Sequence, residues 1–354
     1  MSKSNLSGIK EELRGYLVRY GAHSSAYSSL QDGLDYFILP GIGYIPYTCT
    51  SGIAFALSNP ICAVDNYEVL VSSFLERFPR SAFLHVTPEA AGELSKMGFY
   101  LNEMGVETEL SLGSYDYRGR AKESIRRMIR RAGESGTAVI EVSGDCRLGG
   151  EFQDITEEWL STKRVKGREF RFLVRRAVYG FEPDVRKFVA INGGRVSGYI
   201  VFDPMYRFGR VYGYLAGTLR TRAAAHGGTL ALIMSHAIGV FKEEGVDVLS
   251  LGLSPFFDVD DSRYRHSYFM KQVFRFIYEW GEGLYAFKGL SFFKSRYGGG
   301  VRDGLYRDDN ALKRKIYFVH QSRLPLRELY ESSRLMGIMD GVLPVMKRFF
   351  FAAS

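Results

Sequence analysis

The chain has 354 residues, of which 46% are hydrophobic, 14% aromatic and 24% charged, with a formal net charge of +8. Those proportions exclude a disordered, collagen-like or low-complexity protein, and the length accommodates about two domains with separate cores. The positive balance points to a polyanionic partner such as nucleic acid, anionic lipid or a phosphorylated substrate without choosing among them.

Cys49, Cys62 and Cys146 are too widely spaced for a CxxC pair or a dense disulfide framework, which fits a reducing cytoplasm. Near the N-terminus, Glu11 and Glu12 precede any apolar core, unlike a secretory signal. A short amphipathic pattern (Ile9, Leu13, Leu17) then leads to residues 36–64, which carry no charge. They do not read as a membrane span, because Pro40, Pro46, Pro60 and several glycines cut them into pieces of strand length. Val69, Leu70, Phe74 and Phe78 predict a helix ending at Pro79; Ala82 to Val86 then reads as a buried strand and Glu89 to Met97 as a short helix.

Residues 119–132 predict an amphipathic helix, with Ile125, Met128, Ile129 and Ala132 on one face and Arg120, Arg126, Arg127, Arg130 and Arg131 crowding the rest. Such a face is either an ordinary solvated surface or a phosphate-tracking one. Arginines this dense, with Glu123 as the only acid, repel one another unless an anion lies across them.

A helix through Phe152, Ile155, Trp159 and Leu160 is followed by a predicted antiparallel meander: Arg186 to Asn192, Val196 to Phe202 and Arg210 to Ala216. The segment 217–228 reads as a loop, Leu230 to Phe241 as a helix stopped by Gly245, and Val246 to Leu251 as a strand. Three antiparallel strands, a helix and a strand form the core order of the GNAT acyltransferase fold, although other α+β folds share it. The glycines in 222–229 sit too late for the usual pyrophosphate clasp of acyl-CoA enzymes. Gly228 and Thr229 read equally as a plain helix start or a site for one phosphate or carboxylate.

The histidines show no metal-ligand spacing, and no Walker loop or Gly-x-Ser-x-Gly elbow occurs. His236 reads as a core residue, whereas His226 lies in a loop where substrate could reach it. Residues 252–261 leave the sheet abruptly with Asp258, Asp260 and Asp261, either an exposed acidic loop or the source of a carboxylate that orients or deprotonates an acceptor amine. The tail from 311 contains Lys313-Arg-Lys315 and ends Val345-Met-Lys-Arg-Phe-Phe-Phe351. It is read as a helix packed on the domain, with an interfacial membrane helix as the alternative.

Five segments carry a resemblance: the basic helix from Arg118 to Gly133, Thr156-Glu-Glu-Trp-Leu160, Gly228-Thr229 before a helix, Leu249-Ser-Leu-Gly-Leu-Ser-Pro255, and the run from Leu284 to Tyr297. In order and spacing, residues 15–310 resemble the C-terminal catalytic domain of lysyl-phosphatidylglycerol synthetases. The resemblance implies an α+β protein of tandem GNAT-like domains: residues 1–145, a catalytic 146–310 and a helical tail 311–354. It implies transfer of an amino acid from aminoacyl-tRNA as co-substrate, without CoA, metal or other cofactor.

The family includes membrane-tethered lipid-modifying enzymes and soluble relatives acting on natural-product intermediates. A small amine or hydroxylamine is the expected acceptor here, with phosphatidylglycerol transfer and acyl-CoA N-acyl transfer as alternatives. The expected location is cytoplasmic, with peripheral contact at the inner membrane face through the tail. Arg220 matches the family's arginine after its third strand and is expected to stabilise charge. The family's acid three residues earlier is Gly217 here, which leaves Asp258, Asp260, Tyr212 and Tyr214 as candidate catalytic groups. His226, Gly228, Thr229, Ser254 and Lys288 are expected to bind substrate, and Arg126, Arg127, Arg130, Arg131, Lys313 and Arg314 to hold tRNA phosphates.

Overall fold

A computed structural model describes residues 3–142, 148–161, 172–261, 263–283, 285–298 and 311–337. In chain order, the first half comprises α1 (Lys3–Tyr20), β1 (Asp35–Leu39), β2 (Gly43–Thr50), β3 (Ile53–Leu57), the short β4 (Ile61–Cys62), α2 (Tyr67–Arg77), β5 (Ser81–Val86), α3 (Pro88–Lys96) and β6 (Tyr100–Ser111). The second half continues with α4 (Glu123–Glu134), β7 (Ala138–Glu141), α5 (Gly149–Ser161), β8 (Arg186–Asn192), β9 (Arg195–Arg207), β10 (Arg210–Thr221), α6 (Thr229–Glu243), β11 (Val248–Pro255), α7 (Tyr268–Trp280) and α8 (Phe287–Ser295). Two further elements close the described chain, β12 (Ala311–His320) and α9 (Leu326–Leu335).

The strands form one sheet in the order β1-β2-β3-β5-β12-β6-β11-β10-β9-β8-β7, with β4 pairing β2. Each half repeats one pattern. Three antiparallel strands lead through a helix into a strand parallel to the third: β1-β2-β3, α2, β5, and again β8-β9-β10, α6, β11. The fold is therefore α+β, two GNAT-like halves in tandem. The second meander matches the sequence expectation, but β9 and β10 run longer, so residues 217–221 are strand and not loop.

Helix α6 buries Ala231, Ile233, Met234, Ala237, Ile238 and Phe241, the apolar positions that recur at three and four. Helix α4 lays Ile125 into the same core, with Met128 and Ile129 packed against it. A Cβ at Gly228 would lie 2.2 Å from the Met128 carbonyl oxygen, so glycine there lets α4 sit directly on the first turn of α6.

Two expected placements differ. Helix α4 packs on α6, and β7 pairs with β8, so both stand with the second repeat although they precede residue 146. The segment from 311 opens as a strand, not a helix, and β12 lies inside the first half's sheet between β5 and β6. Both of its faces are covered: Phe318 packs edge-on against Phe274 of α7, while Tyr317 and Val319 join the core beneath α2 and α3. A strand buried on both sides loses its polar alternation, and the cations at 313–315 disguised the rest. The expected apolar tail 345–351 lies outside the described residues. Among the described residues no helix is long and apolar enough to cross a membrane.

Candidate active site

Strands β10 and β11 pair in parallel only from Gly213–Leu215 against Val248–Ser250. Beyond that point they part: β10 stays with β9, while β11 shifts register against β6 between Ser250 and Leu253. The shift is held by Ser250, whose Oγ donates to Glu107 Oε1 at 2.6 Å and accepts from the Gly252 amide at 2.9 Å. Gly252 has φ +76°, and a Cβ there would lie 3.3 Å from Leu215 and 3.6 Å from Lys294 Nζ. The opening thus requires glycine for conformation as well as space.

Lys294 reaches this opening from α8. It is 7% exposed, and its Nζ donates to the Leu253 carbonyl at 2.7 Å. Burial pulls its pKa down to about 7, against the opposing pull of Glu107. A lysine so placed exchanges its proton near neutrality. Lys288, the substrate-binding candidate in the same run, lies six residues earlier. That residue is exposed and paired with Glu279 at 2.6 Å on the outer face of α8. The i, i+6 offset rotates the two lysines by about 600°, or 240° after whole turns, so one faces solvent and the other the sheet.

Farther along β10, Arg220 is 8% exposed and stacks on Trp159 of α5, with Cζ 3.5 Å from the ring centroid. Its charge also acts on Tyr285, which leads into α8. Next to it a cleft of about 210 Å³ is lined by Trp159, Thr221, Arg222, Ala225, His226 and Leu230, among others. Arg222 is held there by Glu151 and Glu158. Gly217 lies in a β-bulge between Ala216 and Thr218, where a Cβ would come 2.7 Å from Asp203 Oδ2. The carboxylate beside that position therefore comes from β9. Asp203 is buried, and its Oδ1 accepts from Arg175 Nε at 2.9 Å, while Arg175 also pairs with Glu182.

Other expected site residues are placed differently. Tyr214 stacks on Phe241 in the core, whereas the Tyr212 hydroxyl bonds the Ala22 carbonyl; a bulge between Val211 and Gly213 breaks the strand alternation that would otherwise set both on one face. Gly228 is a packing glycine, and the Thr229 hydroxyl donates to the His226 carbonyl at 2.8 Å, so this helix start serves the α4 contact and the turn that leads into it. His226 remains exposed at the cleft and accepts from the Gly228 amide.

Ser254 is buried in β11 opposite Val106. Asp258 and Asp260 stand beside β6 and β12: Asp258 Oδ2 is 3.4 Å from Lys315, and the Asp260 amide donates to Glu103. The buried member of that acidic run is Asp261, which accepts from Asn102 Nδ2 at 3.0 Å, bracing the loop onto β6.

Among the expected RNA contacts, Arg127, Arg130 and Arg131 are exposed along α4, with Arg130 loosely paired to Glu134 at 3.7 Å. Arg126 instead turns back and donates to the carbonyls of Tyr117 and Gly119, fastening the approach to the helix. Arg314 is engaged by Glu109 of β6 and Glu89 of α3. Burial pushes Lys313 down to about 7, with Lys315 adding to the effect and Asp258 opposing it. These two are part of β12's charged seam and not of the α4 surface. Because Met128 of α4 lies against Gly228, α4 abuts the start of α6 two residues beyond His226 of the cleft. Among the described residues no group of three or more histidine, cysteine or acidic side chains could hold a metal ion.

A family model described as phosphatidylglycerol lysyltransferase, C-terminal, matches residues 14–305. A phosphatidylglycerol lysyltransferase of Bacillus subtilis is 22% identical over 300 residues, 81% of this chain and 33% of the relative. The structure of L-PGS from Bacillus licheniformis superposes with a TM-score of 0.74 at 18% identity, covering 92% of this chain and 96% of the other. The C-terminal domain of a putative lysylphosphatidylglycerol synthetase from Agrobacterium fabrum gives 0.70 at 18% identity, with the same coverage of 92% and 96%. The chain spans about a third of the length of the curated relatives it matches.

Proposed function

Because the chain belongs to the phosphatidylglycerol lysyltransferase C-terminal family, we propose that it transfers an aminoacyl group from charged tRNA to a hydroxyl of phosphatidylglycerol. The family and the name of the Bacillus subtilis relative favour this lipid over the small amine or hydroxylamine expected from the sequence. The observation that carries the reading is the opening between β10 and β11, with Lys294 buried at its edge and the arginine-bearing α4 packed on the helix start next to the adjacent cleft.

The ester between amino acid and terminal ribose is already activated, so the protein's work is to position and to handle charge. The lipid hydroxyl oxygen forms a bond to the ester carbonyl carbon, the bond to the ribose oxygen breaks, and the hydroxyl proton ends on that ribose oxygen. Lys294, which is poised to hold or release a proton near neutrality, carries it between the two oxygens. Arg220, kept rigid by Trp159, balances negative charge on the tRNA end. Asp203 Oδ2, directed at Gly217, is the carboxylate available to the amino acid's ammonium group.

Exposed arginines of α4 hold backbone phosphates, which gives affinity without sequence reading. The test is incubation with individually radiolabelled aminoacyl-tRNAs and either short-chain phosphatidylglycerol or hydroxylamine. Label appearing in the lipid supports the reading. Label appearing only with hydroxylamine, or release that acetyl-CoA substitutes for, rejects it.

A further inference from the structure

Three two-residue hairpin turns share the same left-handed backbone: Ser51-Gly52 (φ 50°, 74°), Gly193-Gly194 (57°, 76°) and Phe208-Gly209 (52°, 79°). Turns of this kind favour glycine, asparagine or aspartate, because a side chain at positive φ is strained and a bulky one more so. Gly193-Gly194 follows that rule, and Ser51-Gly52 departs from it only by a small polar side chain. The third places a phenylalanine where the backbone resists it, and leaves it 89% exposed, the highest value among the exposed large hydrophobic side chains described. Neither conformation nor burial within this chain accounts for the choice.

The flanks of that turn are cationic. Arg207 and Arg210 on either side are both exposed, and Arg207 lies over the Tyr212 ring with Cζ 3.9 Å from its centroid. Tyr212 is in turn tied to Ala22, and the Tyr206 amide donates to the Gly21 carbonyl, so the hairpin base is fastened to the end of α1, where Arg19 is also exposed. An aromatic tip ringed by arginines on a braced support is the chemistry of an anionic bilayer surface, where the ring enters the headgroup boundary and the cations meet lipid phosphates. From Arg210 the strand runs to Thr221 at the cleft, a span of about 35–40 Å at strand rise. The tip and the cationic α4 thus lie at opposite ends of β10, so a membrane at one need not displace RNA from the other.

We propose that the hairpin Arg207–Arg210 docks this chain on membranes rich in anionic lipid, with Phe208 inserted. The choice of a bilayer over a protein groove rests on the lipid-acceptor reading above. The test uses the full chain and vesicles of phosphatidylcholine with or without phosphatidylglycerol. Phe208→Trp should show blue-shifted emission and quenching by brominated acyl chains on the anionic vesicles alone, reversed by salt. Phe208→Ser should lower vesicle partitioning by roughly tenfold, yet leave transfer to dispersed short-chain phosphatidylglycerol unchanged. Unchanged partitioning of the serine variant, or a monomer–dimer shift abolished by it, overturns the proposal. Absence of any transfer to short-chain lipid, with tryptophan quenching intact, would instead remove the functional reading and leave the docking surface standing.

Discussion

Replacing Lys294 with methionine keeps the length and volume of the side chain while removing its titration. In the folded protein burial lowers this lysine to about 7, whereas in the unfolded chain it returns to about 10.4. Between those values the unfolded state binds more protons, so stability rises with pH across that window and levels off below pH 7. From pH 7 to pH 9 the gain from this one group is about 2 kcal/mol. Urea unfolding at the two pH values should show that increment in the wild type and lose it in Lys294→Met; Lys313, which titrates in the same range, cancels in the comparison. The transfer rate should rise through about pH 7 in the wild type and fall by about 10²–10³ in the variant. An identical pH slope in both proteins refutes the buried-lysine argument, and an unchanged rate removes Lys294 from proton transfer.

Gly228→Ala forces a methyl to within 2.2 Å of the Met128 carbonyl oxygen; it should destabilise by about 1–3 kcal/mol in chemical denaturation and weaken tRNA binding together with fold stability. Arg127→Ala with Arg131→Ala should instead leave stability unchanged and lower the slope of log affinity against log salt by about 2 in titrations with charged tRNA. Gly217→Asp, which restores the acid of the family pattern, should destabilise and reduce transfer, because its Cβ would sit 2.7 Å from Asp203 Oδ2. Combining it with Asp203→Ala should recover part of both, read by thermal unfolding and single-turnover assays.

Much of the tandem architecture was legible because its helices and hairpins carry local periodicity: α6 from its three-and-four spacing, β8 and β9 from alternation around Gly193-Gly194. The interior strand β12 was not, since cover on both faces erases the pattern and its partners lie some 200–235 residues away in the chain. Within the site, Arg220 and the cationic α4 were visible as residue types at a marked place. Lys294 was present in the same run as Lys288, and helical phase relative to the buried Phe287 and Ser291 would have separated them. Asp203 left no local signal at all: its relation to Gly217 exists only through the β9–β10 register and a bulge. Arg126 shows the converse limit, because a charged side chain on an amphipathic helix can be spent on nearby carbonyls.

The placement of β12 has a bearing on biosynthesis. Its partners β5 and β6 leave the ribosome first, holding apart a vacant slot whose edges expose unpaired amides and carbonyls. At elongation speeds of about 5–20 residues per second, the filling strand follows on the order of 10–40 s later. During that interval the nascent first half offers a ready template for stray strands, so holding chaperones or slow codons upstream of residue 311 would be expected to govern the yield of native protein, and chains terminated before it should accumulate as aggregates.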